Sequence, residues 1–209
     1  MAAGDAKKPA AKVPALKKQA SSGNISEEIE DDLSTLPNMK LSQLHFLLRH
    51  EHSGASTLGA AEAAAAKQQV LELVQQNDMA PFYRLVCAEF QWPADAALEA
   101  QMSAKNAQEL AQLDERLADA EQNLGDIEVL EALLAKARMY SRVGDKEKAL
   151  EAFRVAGEKP QSINQKILVA LHIIRIGLFF SDLELVETYI KKATTYVAVA
   201  LSGAVDVAG

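Results

Sequence analysis

Four histidines, one cysteine and a scatter of carboxylates are the side chains to question first about chemistry. His50 and His52 flank Glu51, a pairing that invites a metal ion. On a helix two histidines two positions apart would diverge, and neither a cysteine nor a third histidine lies near them in sequence. Residues 50–54 read as a loop, so the metal reading is set aside. Cys87 sits among Leu85, Val86 and Phe90, with Arg84 as its one basic neighbour. A reactive thiolate needs electropositive surroundings, so Cys87 reads as an inert packing residue. A single cysteine also excludes an intramolecular disulfide and a cysteine-rich zinc site, and it suits a reducing compartment. His45 and His172 are isolated; His172 lies in an apolar run and is expected to be a core or groove residue with a satisfied hydrogen bond. The carboxylates fall on helix faces that read as solvated. The sequence holds no phosphate-binding loop, no G-x-G-x-x-G, no H-E-x-x-H and no G-x-S-x-G. We therefore expect no catalytic residue, no cofactor and no metal, and a chain that is not an enzyme.

The elements that position these residues centre on residues 133–156, LLAKARMYSRVGDKEKALEAFRVA. Leu133, Ala137 and Tyr140 recur at helical spacing, and so do Ala149, Phe153 and Ala156. Between them Gly144 can take the positive φ that ends one helix, and Asp145 can cap the next. Small residues, Ala137 and Ala149, stand where two backbones must approach. This resembles the tetratricopeptide pattern of roughly 34 residues, in which stacked helical hairpins bury a continuous core that one hairpin cannot bury alone. Residues 166–180 form a neighbouring helix too apolar for the surface, predicted to be covered on both sides. Lys166, His172 and Arg175 interrupt it, so no membrane span is expected. Ser181 and Asp182 make a turn without glycine. Residues 183–196 are its partner helix, with Val186, Ile190 and Ala193 facing inward.

Upstream, residues 39–48 read as a short helix ending before His50. A second helix covers residues 58–77. Asp78 is expected to cap a third, with Pro81 just inside it and Trp92-Pro93 at its end. Residues 95–124 read as one long helix with a narrow seam of Leu110, Leu113, Leu117, Ala120 and Leu124. Docking on the repeats fits this seam better than a coiled coil. Gly125 is expected to end that helix and Asp126 to cap the next.

The 209 residues carry a net charge of -7, 49% apolar residues and 5% aromatics. That composition favours packed helices and argues against wholesale nucleic-acid binding. The first 22 residues, rich in Ala, Pro and Lys, contain no apolar signal core and no arginine. They read as a solvated tail in preference to an address signal or a nucleic-acid arm. The acidic run at residues 27–32 follows. The resulting division is a disordered basic-then-acidic tail over 1–35, an all-α, tetratricopeptide-like helical-repeat solenoid with a long connecting helix over 36–196, and a divergent, disordered tail over 197–209. On exposed hairpin faces the candidate partner-binding residues are Arg138, Arg142, Lys146, Lys148 and Arg154.

Longer runs carry a resemblance. Asn77-Asp78-Met79-Ala80-Pro81-Phe82-Tyr83, Asp119-Ala120-Glu121-Gln122-Asn123-Leu124-Gly125 and Leu171-His172-Ile173-Ile174-Arg175-Ile176-Gly177-Leu178-Phe179-Phe180 closely resemble the N-terminal half of the proteasome non-ATPase regulatory subunit 6 family. So do Leu41-Ser42-Gln43-Leu44-His45-Phe46-Leu47-Leu48 and the hairpin around Gly144. The resemblance implies a non-catalytic scaffold of the regulatory-particle lid, serving ATP- and ubiquitin-dependent degradation in cytoplasm and nucleus. Its implied partners are other lid subunits and the ATPase base. It also implies a following winged-helix PCI module, which residues 197–209 do not resemble. That departure reads as a fragment, a gene-model error or a truncated isoform that does not assemble. A scaffold similar to signalosome subunit one is the sister reading.

Overall fold

A computed structural model describes residues 36–55, 59–159 and 161–205. Those residues form α1 (Met39–His52), α2 (Ala60–Gln76), α3 (Ala80–Glu89), α4 (Ala96–Asn123), α5 (Asp126–Val143), α6 (Lys146–Gly157), α7 (Ile163–Phe179) and α8 (Leu183–Val205). No strand occurs among them, so the all-α expectation holds. Successive helices pack as hairpins, most extensively α7 with α8, α5 with α6 and α4 with α5. Residues 1–35 and 206–209 lie outside the described residues, and with them both expected tails, apart from the helical stretch up to Val205.

Local sequence sets the helix starts. Asn38 Oδ1 accepts from the amides of Lys40 and Leu41, and Asp95 Oδ1 from those of Ala97 and Leu98. Each supplies an acceptor to N–H groups that have no partner within the helix. Ser162 and Gln165 cap α7 reciprocally. The second hairpin repeats the turn of the first with Ser181 in the left-handed region, φ 57°, where the first has Gly144. Asp182 then caps α8 through Leu185 N–H.

Two cores result. One joins α1, α2, α3 and the start of α4 around Leu41, Val70, Val74, Phe82, Val86 and Met102. The other joins the end of α4 to α7 around Leu130, Ala137, Ala149, Phe153, Ala156 and Ile176. Phe179 and Phe180 bridge them: Phe179 is 5.1 Å from the Phe82 ring, and Phe180 packs against both cores.

Several boundaries differ from expectation. α1 continues through His50 and His52. His50 stacks on Phe46 at 4.9 Å, and His52 meets the edge of Phe90 at 5.8 Å. Asp78 is not a cap. It takes φ 50°, Met79 occupies the cap position, and the Asp78 carboxylate binds Lys105 at 2.8 Å. Gly125, not Asp126, caps α5, and its amide donates to Glu128. The α4 seam stops before Leu124, which is 56% exposed. α7 is not covered all round, since Leu171 and Leu178 are exposed. α8 runs on to Val205, past residue 196. Of its expected inward residues Val186 is buried, Ala193 is half-buried and Ile190 is 49% exposed.

Candidate functional site

The α5–α6 hairpin is built as its sequence demands. Gly144 takes φ 75°, in the left-handed region that favours glycine. A second constraint acts there. A Cβ on Gly144 would stand 2.7 Å from Phe82 Cβ and 3.2 Å from Met79 Cε. The turn is therefore seated directly on α3. Asp145 Oδ1 accepts from Lys148 N–H and starts α6. Ala137, Ala149 and Ala156 are fully buried where the helices touch, with Phe153 beside them.

The five cations proposed from sequence separate into two groups. Arg142 and Lys146 are not on a free face. Arg142 donates to the Asn77 carbonyl at 2.8 Å and to the Glu109 carboxylate, tying α5 to the α2–α3 turn and to α4. Lys146 binds Asp182 at 2.8 Å and lies 5.9 Å from the Phe180 ring centre, joining the two hairpin turns. That ion pair, with the Leu185 amide, holds the Asp182 carboxyl below the usual carboxylate range. Both partners lie far off in sequence, so charge and helical position gave no warning of them. Arg138 is half-buried beside His172. Lys148 and Arg154 do reach solvent, at 64% and 60% exposure of the side chain. Lys148 pairs with Asp145, and Arg154 with Glu151 and Glu158, which hold its guanidinium more firmly protonated than usual.

Between α5 and α6 runs an open groove of about 410 Å³. Leu133, Tyr140, Ala152 and Val155 line it, and Lys148 and Glu151 stand among them. A larger cleft of about 580 Å³ lies where α1 and α3 meet the Gly144 turn. Its wall holds a cluster the sequence reading missed: His45 Nε2 lies 2.6 Å from Glu89 Oε2, and Arg49 Nε lies 2.7 Å from Glu89 Oε1. One signal was available. Leu41, His45 and Leu48 share one helical face, and all three are buried.

Cys87 is buried, and burial pushes its thiol above the ordinary value. It is held as a thiol, not as a nucleophilic thiolate. His172 is 4% exposed and stacks on Phe153 at 5.6 Å. Its Nε2 has no hydrogen-bond partner, contrary to expectation. Burial, together with Arg138 and Arg175, lowers its pKa to about 4. Among the described residues no group of His, Cys, Asp or Glu side chains could hold a metal ion, and no helix is long and apolar enough to cross a membrane.

These elements define an array of antiparallel helical hairpins, a class that offers grooves and helix faces to other molecules. Comparison with known proteins makes the class specific. Residues 95–200, half of the chain, match the family described as 26S proteasome subunit RPN7. The chain belongs to that family. It is 40% identical over 177 residues to the 26S proteasome non-ATPase regulatory subunit 6 of Caenorhabditis elegans, covering 85% of this chain and 41% of that one. It is 38% identical over 160 residues to the Arabidopsis thaliana homolog, covering 77% and 40%. It is 25% identical over 187 residues to the 26S proteasome regulatory subunit RPN7 of Saccharomyces cerevisiae, covering 79% and 42%. The chain spans about two fifths of the length of these curated relatives.

Proposed function

We propose that this chain is the helical-repeat arm of a proteasome regulatory-particle lid subunit and acts through protein–protein contacts, without a catalytic step. The observation that carries this reading is the family match over residues 95–200, the stretch that builds α4 to α8. The physical support is the apolar groove between α5 and α6, with charged side chains along it. Apolar floors give affinity and charged rims give register, the usual division at protein interfaces. The partners on this reading are other lid subunits and the ATPase base, in cytoplasm and nucleus, and the process served is ubiquitin-dependent degradation.

The test is affinity purification of the full chain from its native cells, with quantitative mass spectrometry of co-purifying proteins. Lid subunits in fixed proportion are the expected result. Signalosome subunits in their place, or neither complex, would overturn the assignment to the lid.

A further inference from the structure

The outward face of α7 carries an apolar stripe. Ile167, Leu168, Leu171, Ile174 and Leu178 follow one another at helical spacing and share that face. Leu171 is 38% exposed and Leu178 43%, and the other three are half-buried. The described residues leave the stripe open to solvent.

The chain reaches this stripe in a fixed direction. Ser42 Oγ donates to the Phe179 carbonyl at 3.2 Å. Arg175 donates from Nε to the Leu36 carbonyl at 3.0 Å and from an Nη to the Pro37 carbonyl at 3.1 Å. Going backwards from Ser42 to Leu36, the chain therefore moves along α7 towards the N-terminus of that helix. Leu171 and Leu168 lie one and two turns further that way, on the face that holds Arg175. The residues before Leu36 are delivered to the stripe itself.

Those residues carry a matching pattern. Ile25, Ile29 and Leu33 are spaced for one face of a helix, and Glu27, Glu28, Glu30 and Asp31 fall off that face. Asn24 with Glu27 three positions on is a helix-start signature, and carboxylates suit a first turn. Pro37 requires such a helix to end by Leu36. Ile25 to Leu36 spans the same number of positions as Asn164 to Arg175 on α7, about 16 Å of helix in each case.

We propose that residues 25–34 form an amphipathic helix that lies along α7 and covers its apolar stripe with Ile25, Ile29 and Leu33. Attachment favours this occupant over a second copy or another protein, because the segment joins the body beside the stripe and a short tether gives an effective concentration in the millimolar range. Docking replaces an apolar surface with one that bears carboxylates, so a partner that needs the stripe must displace the helix first.

The experiment uses the full chain carrying Leu171→Cys, which places a thiol in the stripe. Alkylation by N-ethylmaleimide is followed by peptide mass spectrometry, which separates position 171 from the buried Cys87. Adding I25S, I29S and L33S should speed alkylation at position 171 by roughly five-fold or more, at low and high micromolar protein alike, with Cys87 still unmodified. An equal rate refutes docking. An acceleration that vanishes on dilution assigns the stripe to a second copy and also overturns the proposal. If any of these substitutions exposes Cys87, amide hydrogen exchange in the natural chain decides. Residues 26–34 should exchange roughly ten-fold or more slowly than a free peptide of the same sequence, and exchange at the free-peptide rate overturns the proposal.

Discussion

Gly144 offers a test in which two physical terms can be separated. It combines a left-handed backbone with a close approach: φ is 75°, and a Cβ would stand 2.7 Å from Phe82 Cβ. Gly54 has the first property without the second, with φ 72° and nothing within 4 Å of its Cβ position. Gly177 has the second without the first, its Cβ position lying 2.7 Å from Val186 Cγ2. Alanine at a left-handed position costs about 1 kcal/mol, and overfilling a packed site costs about 1–3 kcal/mol. Gly54→Ala should therefore lose about 1 kcal/mol. Gly177→Ala should lose about 1–2 kcal/mol, since helix propensity returns about 0.5–1 kcal/mol. Gly144→Ala should lose about 2–4 kcal/mol. Its clash is with a Cβ, so trimming the Phe82 ring cannot relieve it and backbone must move. Urea unfolding followed by circular dichroism at 222 nm reads the series; with a slope of about 2 kcal/mol per molar, Gly144→Ala should move the midpoint by about 1–2 M. If Gly144→Ala and Gly54→Ala agree within about 0.5 kcal/mol, the turn is not seated on α3 and the account of how the two cores join is wrong.

Three further outcomes follow from the same geometry. His172 has a folded pKa of about 4 against an ordinary 6.5, so the unfolded chain takes up a proton between those values that the folded chain refuses. Stability falls as pH drops from about 6.5 to about 4 and the loss then levels off, at about 3 kcal/mol for a shift of this size. His172→Phe should remove that component, so wild-type and variant unfolding curves that stay parallel from pH 7.5 to pH 4 would refute it. Arg142→Ala strands the part-buried Asn77 carbonyl, leaves the Glu109 carboxylate to water, and should cost about 1–2 kcal/mol in chemical unfolding; an unchanged midpoint would show those bonds to be idle. Lys148→Glu with Arg154→Glu should leave the helical signal intact and lower recovery of lid subunits in the purification above; unchanged recovery would remove both residues from the interface.

The hairpin at residues 133–156 was legible because its demands are local. Alanines at the crossing points, glycine at the turn and aspartate after it each act within a few residues. What failed was decided elsewhere in the chain. Aspartate two residues before the start of α3 suits a cap and a left-handed turn equally well. Lys105, a helix away, is the partner of Asp78 in the turn that forms. The helix stop at residue 48 was placed too early because the two histidines looked like a break, whereas contacts to Phe46 and Phe90 engage them in α1. The frayed helix end expected after residue 196 is longer than a fray: α8 continues to Val205, and here the reason is local, a run of Ala, Val and Leu with no proline to end it. Arg142 read as a surface cation because its partners stand 65 and 33 positions away.

That last case bears on where a partner can bind. The hairpin turns of α5–α6 and α7–α8 are joined by the Lys146–Asp182 pair, and Arg142, on the other side of the first turn, is spent on the α2–α3 turn and α4. Removing a half-buried cation from such bonds strands the Asn77 carbonyl, so Arg142 cannot release that partner cheaply. Lys148 and Arg154 are different. Their pairs are exposed, and exposed ion pairs contribute little and exchange readily. A protein arriving at the groove can take the charge of Lys148, which lines it, and reach Arg154 through its partner Glu151, while Leu133, Tyr140, Ala152 and Val155 offer it apolar surface. The part of the hairpin that its own folding leaves uncommitted lies along the groove and away from the turn, and the proposed contact falls there.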